Sequence, residues 1–328
     1  MSAVSASAAV PSAPRAYSIT AAIGAADLAA MKTEMAMEQA LRDSIFPKAN
    51  EAKTEGVHAV HAFQCGDMAE ARRLLDACRQ GVEAVLDEVA AGPRPWYVRG
   101  APSVGSLLEH YACAFILGHF FESGVLPPRS ALPRLEDSEY LLGCMAFCQE
   151  LSRYAIGRAT EGDVGSVLAC KELVNSCFQK LAEFDFRNGP LRRKFDGVKY
   201  VVRKCEDLLY ELSLSGKYVP PPADSAAPPA KKAKAGAADG GSAPPSDDAE
   251  FPRITAARFD EMRVKIEAYD AQREELIKRT RDVQKLSKQS IYSMHRGDFA
   301  KAEAQLLEAT TKAQAHIWIP PAVCGFLK

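Results

Sequence analysis

The sequence predicts an all-α multi-helix bundle, a reading that begins with three observations. From Asp27 to about Tyr218, apolar residues recur at three- and four-residue intervals almost without interruption. No stretch alternates apolar with polar as a half-buried strand does. The breaks in the pattern fall where helix-stopping residues sit. A helix with one apolar stripe is covered most simply by other helices, so a bundle follows.

Taken in order, residues 1–25 are rich in Ala and Ser and are expected to form a disordered tail. The bundle is placed at residues 26–218. Its helices are divided at Pro47, Gly66-Asp67, Gly92-Pro93, Pro127-Pro128, Gly162-Asp163 and Gly189-Pro190, which gives roughly six. Residues 219–250, with Pro220-Pro221-Pro222 and Pro244-Pro245, are too poor in large apolar groups to fold and read as a disordered linker. Within it, Ala230-Lys231-Lys232-Ala233-Lys234 is either a nuclear-import signal or a solvated charge run that keeps the linker open. Helical periodicity returns over 251–316 as a detached second segment, and 317–328, opening on Ile317-Trp318-Ile319-Pro320-Pro321, form an irregular tail.

The second segment repeats part of the first. Gly66-Asp67-Met68-Ala69-Glu70-Ala71 is echoed by Gly297-Asp298-Phe299-Ala300-Lys301-Ala302, and a long helical pattern precedes both. Asp67 and Asp298 are each placed to cap the helix that follows. Two amphipathic helices without a full bundle cannot bury their apolar faces alone, so this segment is expected to dock on a neighbour.

Composition narrows the function. A net charge of -1 over 328 residues gives no global attraction to polyanions, so any nucleic-acid surface has to be a local basic patch. Of the nine cysteines, Cys113, Cys144, Cys148, Cys170, Cys177 and Cys205 lie inside apolar helical patterns, and no Cys-x-x-Cys pair occurs. They read as buried thiols of a reducing compartment, the cytosol or the nucleus. No apolar run of secretion-signal or membrane-span character is expected. A Gly-rich phosphate loop, His-Glu-x-x-His and Gly-x-Ser-x-Gly are all missing from the sequence.

The most informative stretch is 187–212. Leu191, Phe195, Val198, Val202, Cys205, Leu209 and Leu212 are spaced 4, 3, 4, 3, 4, 3, the pattern of a helix packed lengthwise on a partner, and they are predicted to form an oligomer interface. Off that stripe lie Arg187, Arg192, Arg193, Lys194, Lys199, Arg203 and Lys204, against Asp196 as the one acid before Glu206. Such a ridge is either a phosphate-binding surface, each contact releasing counterions, or a solvated outer face.

Ser138-Glu139-Tyr140-Leu141-Leu142-Gly143, Gln149-Glu150-Leu151-Ser152-Arg153, the run Leu191 through Tyr200, and Tyr210-Glu211-Leu212-Ser213-Leu214-Ser215-Gly216 closely resemble successive motifs of the translin family. Glu38-Gln39-Ala40-Leu41-Arg42 is similar to the family's first helix, so the resemblance runs from about Met31 to Tyr218. After the linker, Glu275 through Val283, Ser287 through Tyr292 and His295-Arg296 resemble the opening helix of translin-associated factor X, the family's customary partner branch. The resemblance implies an oligomeric, octamer-like α-bundle that binds single-stranded RNA or DNA, is found in cytoplasm and nucleus, and acts as subunit or scaffold of an RNase complex with a factor X-like partner. By the same resemblance, Arg42 and His110, in Glu109-His110-Tyr111-Ala112, are nucleic-acid contacts; the family's arginine after this motif is replaced by Ala112.

The resemblance to the partner branch also raises a Mg²⁺-dependent endoribonuclease, whose carboxylates form an E-x-x-E pair on one helix with a later Asp. Here Glu109 is followed by Ala112 where the second carboxylate is required; Glu150 and Asp163 remain as weak candidates for catalysis, with Glu150 alternatively pairing Arg153 and Asp163 alternatively capping a helix. The expectation is therefore a binding protein with no resident metal or other cofactor, Mg²⁺ entering only with the nuclease alternative.

Overall fold

The structure is a computed structural model and describes residues 24–187, 189–218 and 256–317. The expected tail over 1–25, the 219–250 linker with its lysine cluster, and the 317–328 tail lie outside the described residues, apart from their boundary positions. Among the described residues the regular elements are nine α-helices and one 3₁₀ turn, Arg129–Ala131. The helices are α1 Ala25–Cys65, α2 Met68–Ala91, α3 Pro95–Arg99, α4 Pro102–Ser123, α5 Asp137–Glu161, α6 Val164–Ala182, α7 Pro190–Leu214, α8 Ala256–His295 and α9 Phe299–Ile317.

Their order in space follows their order in sequence. α1 and α2 form an antiparallel pair, α4 packs on both and then on α5, and α6 and α7 close the far side against α5. Local chemistry sets three of the corners. Gly66, Gly162 and Gly297 adopt the left-handed region at φ 82°, 79° and 79°, where a Cβ would be strained. The aspartate after each then caps the next helix: Asp67 accepts from Glu70 N–H at 3.1 Å, Asp163 from Ser166 N–H at 3.0 Å and Asp298 from Lys301 N–H at 3.2 Å. The repeat seen in sequence is thus a repeat in structure, and it occurs a third time between α5 and α6.

α4 is the central helix. It is the one described helix long and apolar enough to cross a membrane, with a mean hydropathy of 1.2 over its best 18 residues, an exception to the expectation that no such stretch exists. Its Leu107, Leu108, Ile116 and Leu117 are fully buried among α1, α2 and α5, which accounts for the apolar composition as core. Where helices cross closely, small residues meet: a Cβ on Gly143 of α5 would stand 2.3 Å from that of Ala112 on α4.

Two expectations are corrected. Pro47 does not end a helix, because α1 runs through it. Ile45, Ala49, Ala52 and Ala59 are buried on either side of it, and that packing outweighs the cost of one lost backbone bond, about 3 kcal/mol. Asp43, whose carbonyl loses its donor, is exposed to water. The α7 stripe does not stand free for a partner subunit either. Val198, Cys205, Leu209 and Leu212 are buried within the chain, and Leu191, Phe195 and Val202 pack partly buried against its own core. The helices they meet are α5 and α6. Heptad spacing shows that a helix is packed lengthwise; it does not show whose helix covers it.

After the linker, α8 touches the bundle at its beginning. Phe259 and Met262 join the main core, Phe259 meeting Phe184 edge-on at 6.2 Å. Contact with the bundle continues through Ile266 to Asp270 and Glu274; farther along, α8 and α9 pack on each other through Ser290, Ser293, Ala302 and Ala309, while Ile291, Met294, Phe299, Leu306 and Leu307 stay exposed.

Candidate nucleic-acid interface

The structure divides the seven cations of the 187–204 stretch into two groups. Three are engaged. Arg187 lies 3.7 Å from Asp270 and 3.9 Å from Glu274 of α8. Arg192 pairs with Asp196 one turn along at 3.1 Å. Lys194 reaches across to Glu109 of α4, and both side chains are largely buried, at 24% and 21% exposure. The other four, Arg193, Lys199, Arg203 and Lys204, are exposed, and among the described residues no carboxylate forms an ion pair with them. Tyr200 projects among them at 69% exposure. Because α7 buries its apolar stripe against α5 and α6, these polar positions face away from the core. The result is a surface with four cations outside any ion pair among the described residues and one aromatic ring, with exposed Glu206 and Asp207 a turn on from Arg203. It can hold phosphates and stack a base.

Beside this surface, α1, α4 and α5 line a groove of about 450 Å³ with His61, Gln64, Glu109, His110, Gln149 and Glu150, and Lys194 of α7 also lines it. His110 is half-buried, and its Nδ1 meets the Ser106 carbonyl at 2.7 Å. A carbonyl can only accept, so Nδ1 carries a proton and Nε2 becomes a donor only in the imidazolium form. Glu150 accepts from Gln64 Nε2 at 3.1 Å and pairs with Arg153. The two carboxylates of the groove are therefore each matched by a cation.

That donor set does not fit Mg²⁺, which demands several converging oxygens. Three residues beyond Glu109, Ala112 is fully buried against Gly143, so neither a second carboxylate nor the family's arginine fits there without separating α4 from α5. Asp163 is occupied as the cap of α6 and is not part of the groove's lining. Hydrogen bonds from the Ser166 hydroxyl and N–H hold its carboxyl below the usual value of 3.8. Among the described residues no three His, Cys, Asp or Glu side chains come together as a metal site. Glu150 and Asp163 thus each have a structural partner, and they do not line the same groove.

Arg42 lies elsewhere, outside both the ridge and the groove. It lines a cavity of about 630 Å³ between α1 and the α3–α4 junction, together with Phe46, Trp96 and Tyr97. Its guanidinium sits 4.6 Å from the Tyr97 ring centre, in cation–π geometry. Sequence reasoning identified Arg42 but not the three rings. One signal was present: Pro95-Trp96-Tyr97 follows the break at Gly92-Pro93, so no helical stripe absorbs the two aromatics. Arg42, His110 and the ridge are therefore three separate stations on the surface.

Residues 68–216, from the start of α2 through α7, match the model of the translin family. They form a translin-family domain. The human translin (Homo sapiens) is 32% identical over 93 residues, 28% of this chain and 41% of that protein. The chicken translin (Gallus gallus) is 33% identical over 82 residues, 25% of this chain and 36% of that protein. The chain thus spans less than half the length of the curated relatives it matches. Among solved structures it is similar to apo-NeC3PO, with a TM-score of 0.49 at 17% identity over 56% of this chain and 95% of that one. It is also similar to AfC3PO in a complex with duplex RNA, with a TM-score of 0.46 at 17% identity over 57% and 97%. The ridge and the groove's α4 and α5 walls belong to the translin-family domain; α1, with Arg42 and Phe46, precedes the matched residues.

Proposed function

We propose that the chain is a single-stranded RNA- and DNA-binding protein that works as an oligomer, with the outer face of α7 as its main contact. The observation that carries this reading is the set of unmatched cations, Arg193, Lys199, Arg203 and Lys204, around exposed Tyr200 on a chain whose net charge is -1. Charge concentrated on one face attracts a phosphate backbone without making the whole molecule sticky. Tyr200 favours strands whose bases are unpaired and free to stack. His110 and Arg42 supply further contacts along the strand. Specificity is modest, since phosphate charge and stacking tolerate most sequences, and binding of this kind uses no cofactor.

Two exposed apolar regions support assembly. Tyr210 and Leu214 extend the outer face of α7, and the α8–α9 hairpin leaves its own apolar face uncovered. The first suits a second copy of this chain in an octamer-like particle; the second suits a factor X-like partner in a complex where this chain is the scaffold and the partner supplies nuclease chemistry. Among the described residues, seven buried, unbridged cysteines support residence in the cytosol or nucleus.

The test is equilibrium binding of the full chain to single-stranded RNA, single-stranded DNA and matched duplex over a salt series, with particle mass measured in parallel. Preference for single strands and a steep salt response are expected. Equal affinity for duplex, or a flat response, would refute the binding reading, and a stable monomer at micromolar concentration would refute the oligomeric one.

A further inference from the structure

The cavity around Arg42 has features that a purely electrostatic surface does not need. Three large aromatic side chains border it, and all are exposed: Phe46 at 58%, Trp96 at 47% and Tyr97 at 43%. Exposed aromatics are scattered on most proteins, but here three converge on one cavity of about 630 Å³, a volume within the range of small-ligand pockets. Its floor is apolar, formed by buried Ile45, Val98 and Val104.

Two charged groups line it. Asp43 lies at the rim and accepts from Gln39 Nε2 at 2.8 Å. Arg42 forms no ion pair among the described residues, and its Nε is buried without a hydrogen-bond partner. Nε itself is out of reach of solvent, so the terminal guanidinium nitrogens of Arg42 are the donors that a ligand in the cavity can meet. The aromatic turn is also held in place. Arg94 sits in the left-handed region at φ 49° and ψ 62°, a conformation non-glycine residues adopt at some strain, and pairs with Glu34 at 2.9 Å and Glu38 at 3.1 Å on α1. Those pairs fix Pro95-Trp96-Tyr97 opposite Phe46. The rings are therefore positioned before any ligand arrives.

From these features we propose that this cavity is a receptor for one unstacked nucleobase, with Trp96 and Phe46 supplying the stacking faces and Arg42 a donor to the base edge or its phosphate. The inference rests on the single-strand reading above but concerns a different surface from the α7 ridge. A flat heteroaromatic ring with polar edges matches flat apolar walls and one unsatisfied cation together. An aliphatic side chain of a partner protein would fill the apolar space yet offer the Arg42 guanidinium no acceptor.

The probes are a single-stranded RNA oligomer with 2-aminopurine at one position, and an abasic oligomer with the same number of phosphates. Both are titrated against the full chain and against Trp96→Ala, Phe46→Ala and Trp96→Phe. Stacking is expected to quench 2-aminopurine fluorescence on the wild-type chain. Trp96→Ala or Phe46→Ala is expected to weaken the base-containing oligomer about tenfold and reduce the quench, with affinity for the abasic oligomer unchanged and Trp96→Phe near wild type. The inference is overturned if both alanine variants keep full quench and affinity while the wild type still binds single strands with a steep salt response. It is also overturned if the variants weaken abasic and base-containing oligomers equally, since the rings would then be shaping the backbone path. A wild-type chain that binds neither oligomer would instead sink the single-strand reading itself, and this inference with it.

Discussion

The division of the α7 cations into free and engaged groups is the most quantitative consequence of the structure. Four free cations meeting four phosphates of a single strand give a slope of about -2.8 in log affinity against log salt, at roughly 0.7 per contact. Raising salt from 50 to 200 mM then weakens binding about 50-fold. Arg203→Ala removes one contact, so the slope falls to about -2.1 and the same salt step weakens binding about 18-fold. Lys194→Ala behaves differently, because Lys194 is already neutralised by Glu109 and both side chains are mostly buried; its slope stays near that of the wild type. Glu109→Gln is the converse. It releases Lys194 and steepens the slope toward about -3.5, while affinity at low salt rises. Fluorescence anisotropy with a labelled oligomer at five salt concentrations measures all four slopes, and thermal melts exclude variants that no longer fold. If Lys194→Ala flattened the slope as much as Arg203→Ala, or Glu109→Gln left it unaltered, the assignment of free and engaged cations would be wrong.

Three further outcomes follow from named contacts. Gly143→Ala drives a Cβ to 2.3 Å from that of Ala112 and is expected to destabilise the bundle by about 1–3 kcal/mol in urea unfolding, with no loss if α4 and α5 can simply move apart. Asp163→Asn keeps a capping side chain but not the charge. The wild-type carboxyl is held below its unfolded value of 3.8, so its extra stability is present above that pH and fades as pH falls through the lower folded value; unfolding midpoints at pH 7 and pH 3 should show the gap between wild type and variant closing, and a constant gap would refute the role. Burial pushes the thiols of Cys78 and Cys170 up to about 12, and those of Cys113 and Cys144 well above the ordinary value of 9.0. Iodoacetamide at pH 8 followed by peptide mapping should therefore label exposed Cys65 first, with those four labelled only after denaturation; rapid labelling of Cys113 in the native chain would contradict the burial.

What was legible in the sequence was local. Gly66-Asp67, Gly162-Asp163 and Gly297-Asp298 announce helix corners because a left-handed residue and an aspartate cap need only their neighbours. Pro47 misled for the opposite reason: its effect depends on whether the helix on both sides is packed, which is a tertiary fact. The stripe from Leu191 to Leu212 gave the direction of packing correctly, but α5 and α6 of the same chain satisfy it. The cations of α7 could be counted in sequence, yet the pairing of Lys194 with Glu109 spans 85 positions and became visible only when α4 and α7 were placed together. The cavity behind Arg42 was equally hidden, since Phe46 comes from α1 and Trp96 from a five-residue helix beginning 49 positions later. Ala112 stood out in sequence as a departure from the family motif. Its contact with Gly143 supplies the reason, because a larger side chain has no space at that crossing.

The contact surface itself can be located directly. Single-stranded RNA substituted with 4-thiouridine, irradiated on the full chain and mapped by peptide mass spectrometry, is expected to crosslink most strongly to the α7 peptides that contain Tyr200. Crosslinks confined to α8–α9 or to the outer face of α2, with α7 unmodified at saturating RNA, would contradict an α7-centred grip on the strand.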